Sequence, residues 1–530
     1  MKVNTIKMVL VDVSEKKMSL RMGQYGFIAY NGRRSVEIYV GRRSSTKIEN
    51  ILKIVIPRKA ISNGLPQALS ERLASSEDEF ISTYANDIAQ SLAQFIVGWK
   101  DLLRSREIEK ILAVPIDEET TITDVEALKK VEFEKVLSVI SSILSPKISE
   151  LLEIVMTTAL TLKQVDREKG VIDNRPVWLT IVADPSTYKT STLKFLSESK
   201  RVFFAQNFTP ASLLPANQDV EPLIAYMHNK VFIIPTLSEE LADKDMTKKV
   251  FSALESVYDG EYAKSTGLSG LRKEIVDTVI IAAVTPAVWE WVLPYIVNIG
   301  SRWLVYRYLL NDDEALVIQK SLEQLKEMTV LRKYVSQYLD YLLDNTTYLH
   351  LKNVVISNEY EKELEILARL VSRLRAVWKI ETYWETDEIG RKTPHKEVEI
   401  LQVEAPSRAY QQLKNFVRAN TFLRKSGVEK IVGIPIVDEH AMMLARKIAI
   451  SSTTNKLKDI VLCIAEKQLK AEMVMYSDLT RATGLSRGSV ENLIKILRHP
   501  RIDILEQDDF IIKEPFFSVI KKLFTGQQNA

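Results

Sequence analysis

The sequence predicts an α/β core, preceded by an α+β amino-terminal region and followed by a helical lid and a small carboxyl-terminal domain. Three observations carry this. Residues 176–310 alternate short apolar runs with helical periodicity, the signature of an α/β unit. The first 60 residues alternate apolar and polar side chains in short runs, which argues for strands. Residues 455–516 read as helix, short helix, third helix and strand pair, the order of a winged helix-turn-helix. A chain of 530 residues holds three or four domains. The expected divisions are a β-rich module at 1–65, a helical region at 66–165, the α/β core at 166–330, a helical lid with a β-hairpin at 331–454, and the winged-helix domain at 455–530.

Composition narrows the function classes. The apolar fraction of 46% and charged fraction of 27% are those of a soluble globular protein. The longest apolar runs, such as "TVIIAAVTPAVW", contain Pro and are too short to span a bilayer, so no membrane partner is expected. The first residues lack the charged-then-apolar order of a signal peptide, which points to the cytoplasm. The single cysteine, Cys463, excludes intrachain disulfides and zinc sites with two Cys ligands, and falls on the expected core face of a helix. Five scattered histidines form no visible metal cluster. With a net charge of only +3, any nucleic-acid contact must come from local basic clusters.

In chain order, "KMVLVDV", "SVEIYVG" and "ILKIVIP" are the early strands. Around the second of these stand Arg33, Arg34, Arg42 and Arg43, which suit a phosphate backbone or, equally, a charge-guarded sheet edge. "FISTYANDIAQSLAQFIVGWKDLL" and "FEKVLSVISSILSPKISELLEIVMTTALTL" have helical spacing. "PVWLTIV", "KVFII" and "VIIAAV" are buried strands of the core. "WKIETYWE" and "KEVEILQVE" form the lid hairpin, and the helices "PSRAYQQLKNFVRANTFL" and "DEHAMMLARKIAISS" follow.

The loop after the first core strand carries the chemistry. Residues 183–192, "ADPSTYKTST", have the layout strand, short polar loop, Lys-Thr, helix. In a phosphate loop, successive backbone N–H groups and a helix start face the anion, a Lys neutralises the outer phosphates, and a hydroxyl ligates Mg²⁺. Asp184, Pro185, Ser186, Thr187, Tyr188, Lys189, Thr190 and Ser191 are the candidate ATP-binding residues, with Thr190 the Mg²⁺ ligand. The glycines of the usual pattern are replaced by Ala183 and Tyr188, so a plain strand-to-helix turn is the competing reading.

"ADPSTYKT" resembles the loop G-D-P-G-T-A-K-S of minichromosome maintenance (MCM) helicases, in which the residue before Lys is also not Gly. Further segments follow in the same order: "EYAKSTGLSGLRKE", "VIIAAVTP", "GSRWLVYRYLL" and "EAPSRAYQQL". With "NFTPASLLPA" and "YDGEYAK", these also resemble a group of AAA+ ATP-binding proteins of phages and integrating elements. Those proteins combine an MCM-like ATPase core with a carboxyl-terminal winged helix. The resemblance runs from about residue 175 to 516. It implies an AAA+ (P-loop NTPase) core and a DNA-dependent ATPase or helicase that forms a ring, expected to be a hexamer, on single- or double-stranded DNA.

The resemblance also assigns roles. Thr285 stands where the γ-phosphate sensor Asn ends its strand. Arg302 stands at the arginine finger that reaches a neighbouring subunit, and Arg408 at the second sensor arginine. A guanidinium suits charge developing on a transferring phosphoryl group. Lys264, with Arg272 and Lys273 on the return strand, stands on the hairpin that points into the ring channel and contacts DNA. In the tail, Ser486, Arg487, Ser489, Asn492 and Lys495 open the recognition helix, where short polar and basic side chains suit phosphate and groove contacts. A protein-docking role is the competing reading for that helix. The tryptophans at 289, 291 and 303 read as core or interface residues.

The sequence departs from the family at one critical place. The strand "KVFIIPTLSEEL" should end in the acidic pair that holds Mg²⁺ and activates water, yet Pro235 and Thr236 stand there. Glu239 and Glu240 come later and are the candidate catalytic acids if the chain bulges at Pro235. A helix-start acidic pair is the competing reading for them, and Asp259 is another candidate acid. Two functions therefore stand: an ATP-driven DNA helicase or translocase of a mobile genetic element, and an ATP-switched DNA-binding or loader protein with weak or no hydrolysis.

Overall fold

A computed structural model describes residues 9–13, 17–22, 25–31, 35–43, 48–57, 65–97, 132–167, 174–205, 210–213, 221–237, 244–266, 270–289, 292, 302–310, 313–316, 318, 327–386, 392–425 and 434–525. The chain divides into two units, residues 1–120 and 121–530.

In the first unit, β1 (Val9–Val13), β2 (Lys17–Met22), β3 (Tyr25–Asn31), β4 (Ser35–Arg43) and β5 (Ile48–Pro57) form an antiparallel meander in sequence order. Period-2 alternation turns Phe27, Ala29, Ile38 and Ile54 to one face and Ile28, Tyr30 and Tyr39 to the other. Helices α1 (Leu65–Ala74) and α2 (Ala85–Val97) share a core with the first face through Leu69, Leu73, Ile88 and Leu92. The boundary expected near residue 65 therefore does not separate these helices from the strands. The sheet and its two helices bury one another's apolar faces, and the unit ends at 120.

The second unit opens with α3 (Phe133–Ile143) and α4 (Pro146–Leu160). Ser145 caps α4 by accepting from the Ile148 N–H at 3.1 Å, and Pro146 occupies its first turn, where a missing N–H costs nothing. Helix α4 is buried on nearly all sides, as its apolar-all-round sequence requires. The helical stretch expected at 66–165 is thus split between the two units.

The centre of this unit is a five-stranded parallel sheet of β6 (Trp178–Val182), β7 (Val202–Phe204), β8 (Lys230–Ile234), β11 (Thr278–Val284) and β12 (Trp303–Arg307). Its spatial order is β12-β6-β11-β8-β7. Counted along the chain within this sheet, that is 5-1-4-3-2, so the order turns about β6. In an open parallel sheet, such a switch point at the carboxyl ends of the strands is where ligands bind. β6 and β11 are buried along their whole length, which explains their continuous apolar runs.

Helix α5 (Lys189–Leu193) follows β6, and α6 (Lys244–Tyr258) leads into the hairpin β9 (Glu261–Thr266) and β10 (Gly270–Ile275). Beyond the sheet lie α7 (Glu327–Asn345), α8 (Asn358–Leu374), the ribbon β13 (Val377–Thr386) and β14 (Lys392–Gln402), α9 (Ser407–Lys425) and α10 (Glu439–Ser451). The tail has α11 (Asn455–Leu469), α12 (Tyr476–Thr483), α13 (Arg487–Arg498) and α14 (Phe516–Thr525). Between α13 and α14 the expected strand pair is reduced to one antiparallel bridge, Leu505 with Ile512. Cys463 on α11 is half-buried rather than in the core. No described helix is long and apolar enough to cross a membrane.

Candidate functional site

The loop after β6 takes a conformation that its side chains do not favour. Ser186 and Tyr188 lie in the left-handed region at φ 62° and 61°. Tyr188 is the residue before α5, and left-handed Tyr188 followed by helical Lys189 makes the succession that forms anion-binding amide concavities. A non-Gly residue there costs about 1–2 kcal/mol. The backbone thus adopts at position 188 what a glycine would adopt freely. Tyr188→Gly is therefore expected to raise stability and leave nucleotide affinity equal or higher. Melting temperature and equilibrium ATP titration check this, and a loss of affinity would give the Tyr188 ring a role in binding.

The loop is tied down from both sides. The Ala183 N–H donates to the Val284 carbonyl at 3.1 Å, and the Thr187 hydroxyl donates to the Asp184 carbonyl at 2.7 Å. Lys189 folds back over the loop, its Nζ donating to the Ala183 and Asp184 carbonyls at 3.0 Å each. Burial holds its pKa below the usual lysine value, with the Asp184 carboxylate opposing. Asp184, Pro185 and Ser186 are exposed, Thr187 is buried, and Tyr188, Thr190 and Ser191 are half-buried. Thr285 lies one residue beyond Val284, beside Ala183, and its carbonyl accepts from the Trp289 N–H at 2.9 Å. Lys189, Thr190 and Thr285 are therefore together at the carboxyl edge of the sheet.

At the end of β8 the ladder gains a residue. Ile234 stands opposite Ala282, yet Leu237, not Thr236, donates to the Ala283 carbonyl at 3.0 Å. One extra residue at Pro235–Thr236 is a bulge, and Pro235 favours it because it has no N–H for the ladder. Glu239 and Glu240 lie outside the described residues.

Arg302 and Arg408 are elsewhere. Arg302 precedes β12, and Trp303 pairs with Trp178, so Arg302 lies at the amino end of the sheet. Five residues of strand separate it from the loop, about 17 Å. It is 8% exposed and held inside its own chain. Its Nη2 lies 2.7 Å from Glu255 Oε1 and 3.1 Å from Asp259 Oδ2, and its guanidinium is 5.8 Å from the Tyr258 ring centre. Gln412, one turn along α9 from Arg408, donates to the Arg302 carbonyl at 2.7 Å and to the Tyr258 hydroxyl at 3.3 Å. Burial pushes the Tyr258 phenol up, against the pull of Arg408, Arg302 and Arg175. Arg302 and Arg408 thus converge, at the opposite end of the sheet from Lys189. Arg408 is partly exposed, 3.6 Å from Glu404. Asp259 belongs to this end too, so it cannot replace the missing acid beside Lys189; the ion pair with Arg302 accounts for its place.

Sequence reading missed two arginines of this cluster. Arg167 bonds both oxygens of Asp277 and donates to the Gly260 carbonyl at 3.1 Å. Arg175 donates to the Asp259 carbonyl and lies 3.5 Å from Asp277. Gly260, at φ 85°, passes so close that a Cβ there would meet Arg175 Nη1 at 2.2 Å. No local pattern marks these residues, because their partners are 84 to 110 residues away.

The nucleic-acid candidates separate. Lys264 pairs with Arg272 across the β9–β10 hairpin, so these two share a face and Lys273 faces the other way. Lys273 is 2.6 Å from Glu261, and Arg272 is 3.8 Å from Glu274. Strand alternation thus divides the three residues expected to act as one set. On α13, Arg487 and Ser489 are exposed, and Arg487 lies 3.0 Å from Glu491 and over the Tyr476 ring. Asn492 is buried, which removes it from any groove contact; its position faces the tail's own core. Lys495 donates to the Lys396 carbonyl of β14 at 3.2 Å. Trp289 and Trp303 are buried. The side chains of Arg33, Arg34, Arg42, Arg43, Lys264 and Trp291 lie outside the description. Among the described residues, no group of three or more His, Cys, Asp or Glu could hold a metal.

The parallel five-stranded sheet with a lysine-bearing loop at its switch point is a mixed α/β core compatible with a phosphate-loop nucleotide-binding fold. No family model and no curated protein sequence matches the chain.

Proposed function

We propose that this chain is an MCM-like AAA+ ATPase that assembles into a ring, expected to be a hexamer, and drives translocation on or unwinding of DNA for a mobile genetic element. The observation that carries this reading is the separation of the candidate site into two halves at opposite ends of one sheet. Lys189, Thr190 and Thr285 stand at the carboxyl end, and Arg302 and Arg408 at the amino end. No single copy can bring them to one phosphate. If the loop end of one copy meets the arginine end of the next, the contact is head-to-tail, and such contacts close into rings or run on as filaments. The parallel five-stranded sheet with the Lys189 loop at its switch point supports the same reading.

In this mechanism Lys189 braces the loop through the carbonyls of Ala183 and Asp184. The Lys189 ammonium and the amides of residues 186–190 would hold a bound triphosphate, and the Thr190 hydroxyl would hold Mg²⁺, which would neutralise phosphate charge there. Thr285 orients water or a γ-phosphate oxygen. Arg302 of the next copy would have to leave Glu255 and Asp259 to reach the γ-phosphate, so the finger contact, rather than nucleotide binding, competes with an internal ion pair. DNA contacts fall to the Lys264–Arg272 face of the hairpin and to Arg487 and Ser489.

Pro235 and Thr236 at the acidic position favour a second reading, an ATP-switched DNA-binding or loader protein with slow or absent hydrolysis. Turnover of Mg²⁺-ATP with and without DNA separates the two. In the helicase reading, DNA stimulates turnover, and either Glu239→Gln or Glu240→Gln lowers it about 10²–10⁴-fold while ATP stays bound, as loss of a general base does. If the parent chain turns over no ATP even with DNA and Mg²⁺, the motor reading fails. If both variants match an active parent, neither glutamate is the base.

A further inference from the structure

Among the described residues, the face of the amino-terminal meander opposite α1 and α2 carries neither of those helices, and its chemistry is specific. Strand register places Ser19, Ile28, Tyr39 and Lys53 in one row across the sheet, and Lys17, Tyr30, Glu37 and Val55 in the next. A third row holds Arg21, Gly26 and Gly41. Tyr30 is 41% exposed and Val55 49%, on a sheet whose inner face is closed. Tyr30 and Tyr39 meet edge to face, with ring centres 5.6 Å apart. Lys53 Nζ stands 5.0 Å from the Tyr39 ring centre. Glu37 accepts from the Tyr39 hydroxyl at 2.9 Å and pairs with Lys53 at 2.9 Å, so its charge is compensated within the patch. Among the described strand positions, the register also places Asp12 on this face.

Charge supplies the second observation. Residues 1–60 contain 13 Lys and Arg against four Asp and Glu, a net +9 in a chain whose total is +3. The remainder of the protein is therefore net acidic, and the positive charge is gathered on this module. Local concentration of basic charge is the electrostatic footprint of a polyanion partner. An exposed ring at Tyr30 and a half-buried one at Tyr39, with Lys53 beside them, add base stacking to phosphate attraction, the combination that takes unpaired bases. In a duplex the bases stack on one another and offer no face to Tyr30. The paired glycines 26 and 41 leave a side-chain-free floor where a sugar or base can approach the backbone.

We propose that this face binds a single strand of nucleic acid, with Tyr30 as the main stacking ring, Tyr39 held beside it, and Lys53 toward the phosphates. The inference does not rest on the ATPase reading, since it uses residues 9–57 alone.

The test uses the full chain and a labelled 20-nucleotide oligothymidylate carrying scattered 5-iodouracil. Irradiation should crosslink peptides that contain Tyr30 or Tyr39. Tyr30→Ala should weaken binding about tenfold, and Tyr30→Phe, which keeps the ring, should bind like the parent. Unlabelled duplex of the same length should compete poorly. Matching melting temperatures for the three proteins exclude a folding defect. Crosslinks found only outside residues 9–57 would overturn the proposal, as would unchanged affinity in Tyr30→Ala or equal loss in Tyr30→Phe. Duplex competing as well as the single strand would also overturn it, leaving a phosphate-tracking surface without stacking.

Discussion

Lys189→Ala lowers ATP affinity at least tenfold. The ammonium donates to the carbonyls of Ala183 and Asp184, so it stands at the mouth of the loop. Burial lowers its pKa, and a phosphate at that point would offset this by favouring the ammonium. A charge-assisted hydrogen bond contributes about 1.5–3 kcal/mol, and 1.4 kcal/mol is a factor of ten in affinity. The variant also loses the two loop bonds, so its melting temperature must be compared with the parent's, and Lys189→Arg keeps the charge without the fit. Equilibrium titration with ATP and with a non-hydrolysable analogue gives the answer. Unchanged affinity in a folded Lys189→Ala protein would mean that the loop is only a turn.

Removing the Arg302 guanidinium leaves ATP binding intact and stops turnover, and mixing that variant with Lys189→Ala restores part of it. A transferred arginine finger is worth about 10³–10⁵ in rate, so the loss is expected to exceed a hundredfold. Because Arg302 also neutralises Glu255 and Asp259, Arg302→Ala costs stability as well as chemistry. Arg302→Lys is the better variant: it keeps a cation among these acids but loses the planar fork. In a mixed assembly some interfaces join an intact Lys189 loop to an intact Arg302 end. Turnover in the mixture above both single variants is the expected result. No recovery at any ratio, from an active parent, would confine Arg302 to its internal ion pair.

Several parts of this architecture could be read without coordinates. "PVWLTIV" and "VIIAAV" are continuous apolar runs because both faces of a parallel strand are covered, and they became β6 and β11. Ser486 was legible as the opener of α13, and its hydroxyl accepts from Ser489 N–H. The ribbon β13–β14 followed from alternation on either side of a polar turn. The meander was only half legible. The alternation across β2 and β3 is interrupted by Met22, Gly23 and Gln24. For the loop, Lys-Thr was visible, but the left-handed backbone at Tyr188 contradicts the residue's own preference. Only contacts such as Ala183 to Val284 hold it there.

What the sequence determined by itself is local: which segments are strands, which are helices, where the polar loop with Lys189 interrupts them, and that Pro235 and Thr236 stand where acids would be expected. These depend on spacing, propensity and residue identity within a dozen positions. The tertiary structure alone decided the strand order, the bulge at Pro235, the burial of Asn492 and the opposite placement of Lys189 and Arg302. Those depend on which surfaces meet after long loops close, and a helix or strand carries no record of its distant neighbour. Arg302 shows the difference. Its residue type suits a phosphate, but Glu255, Asp259 and Gln412, brought in from α6, its carboxyl end and α9, make it part of the chain's own interior.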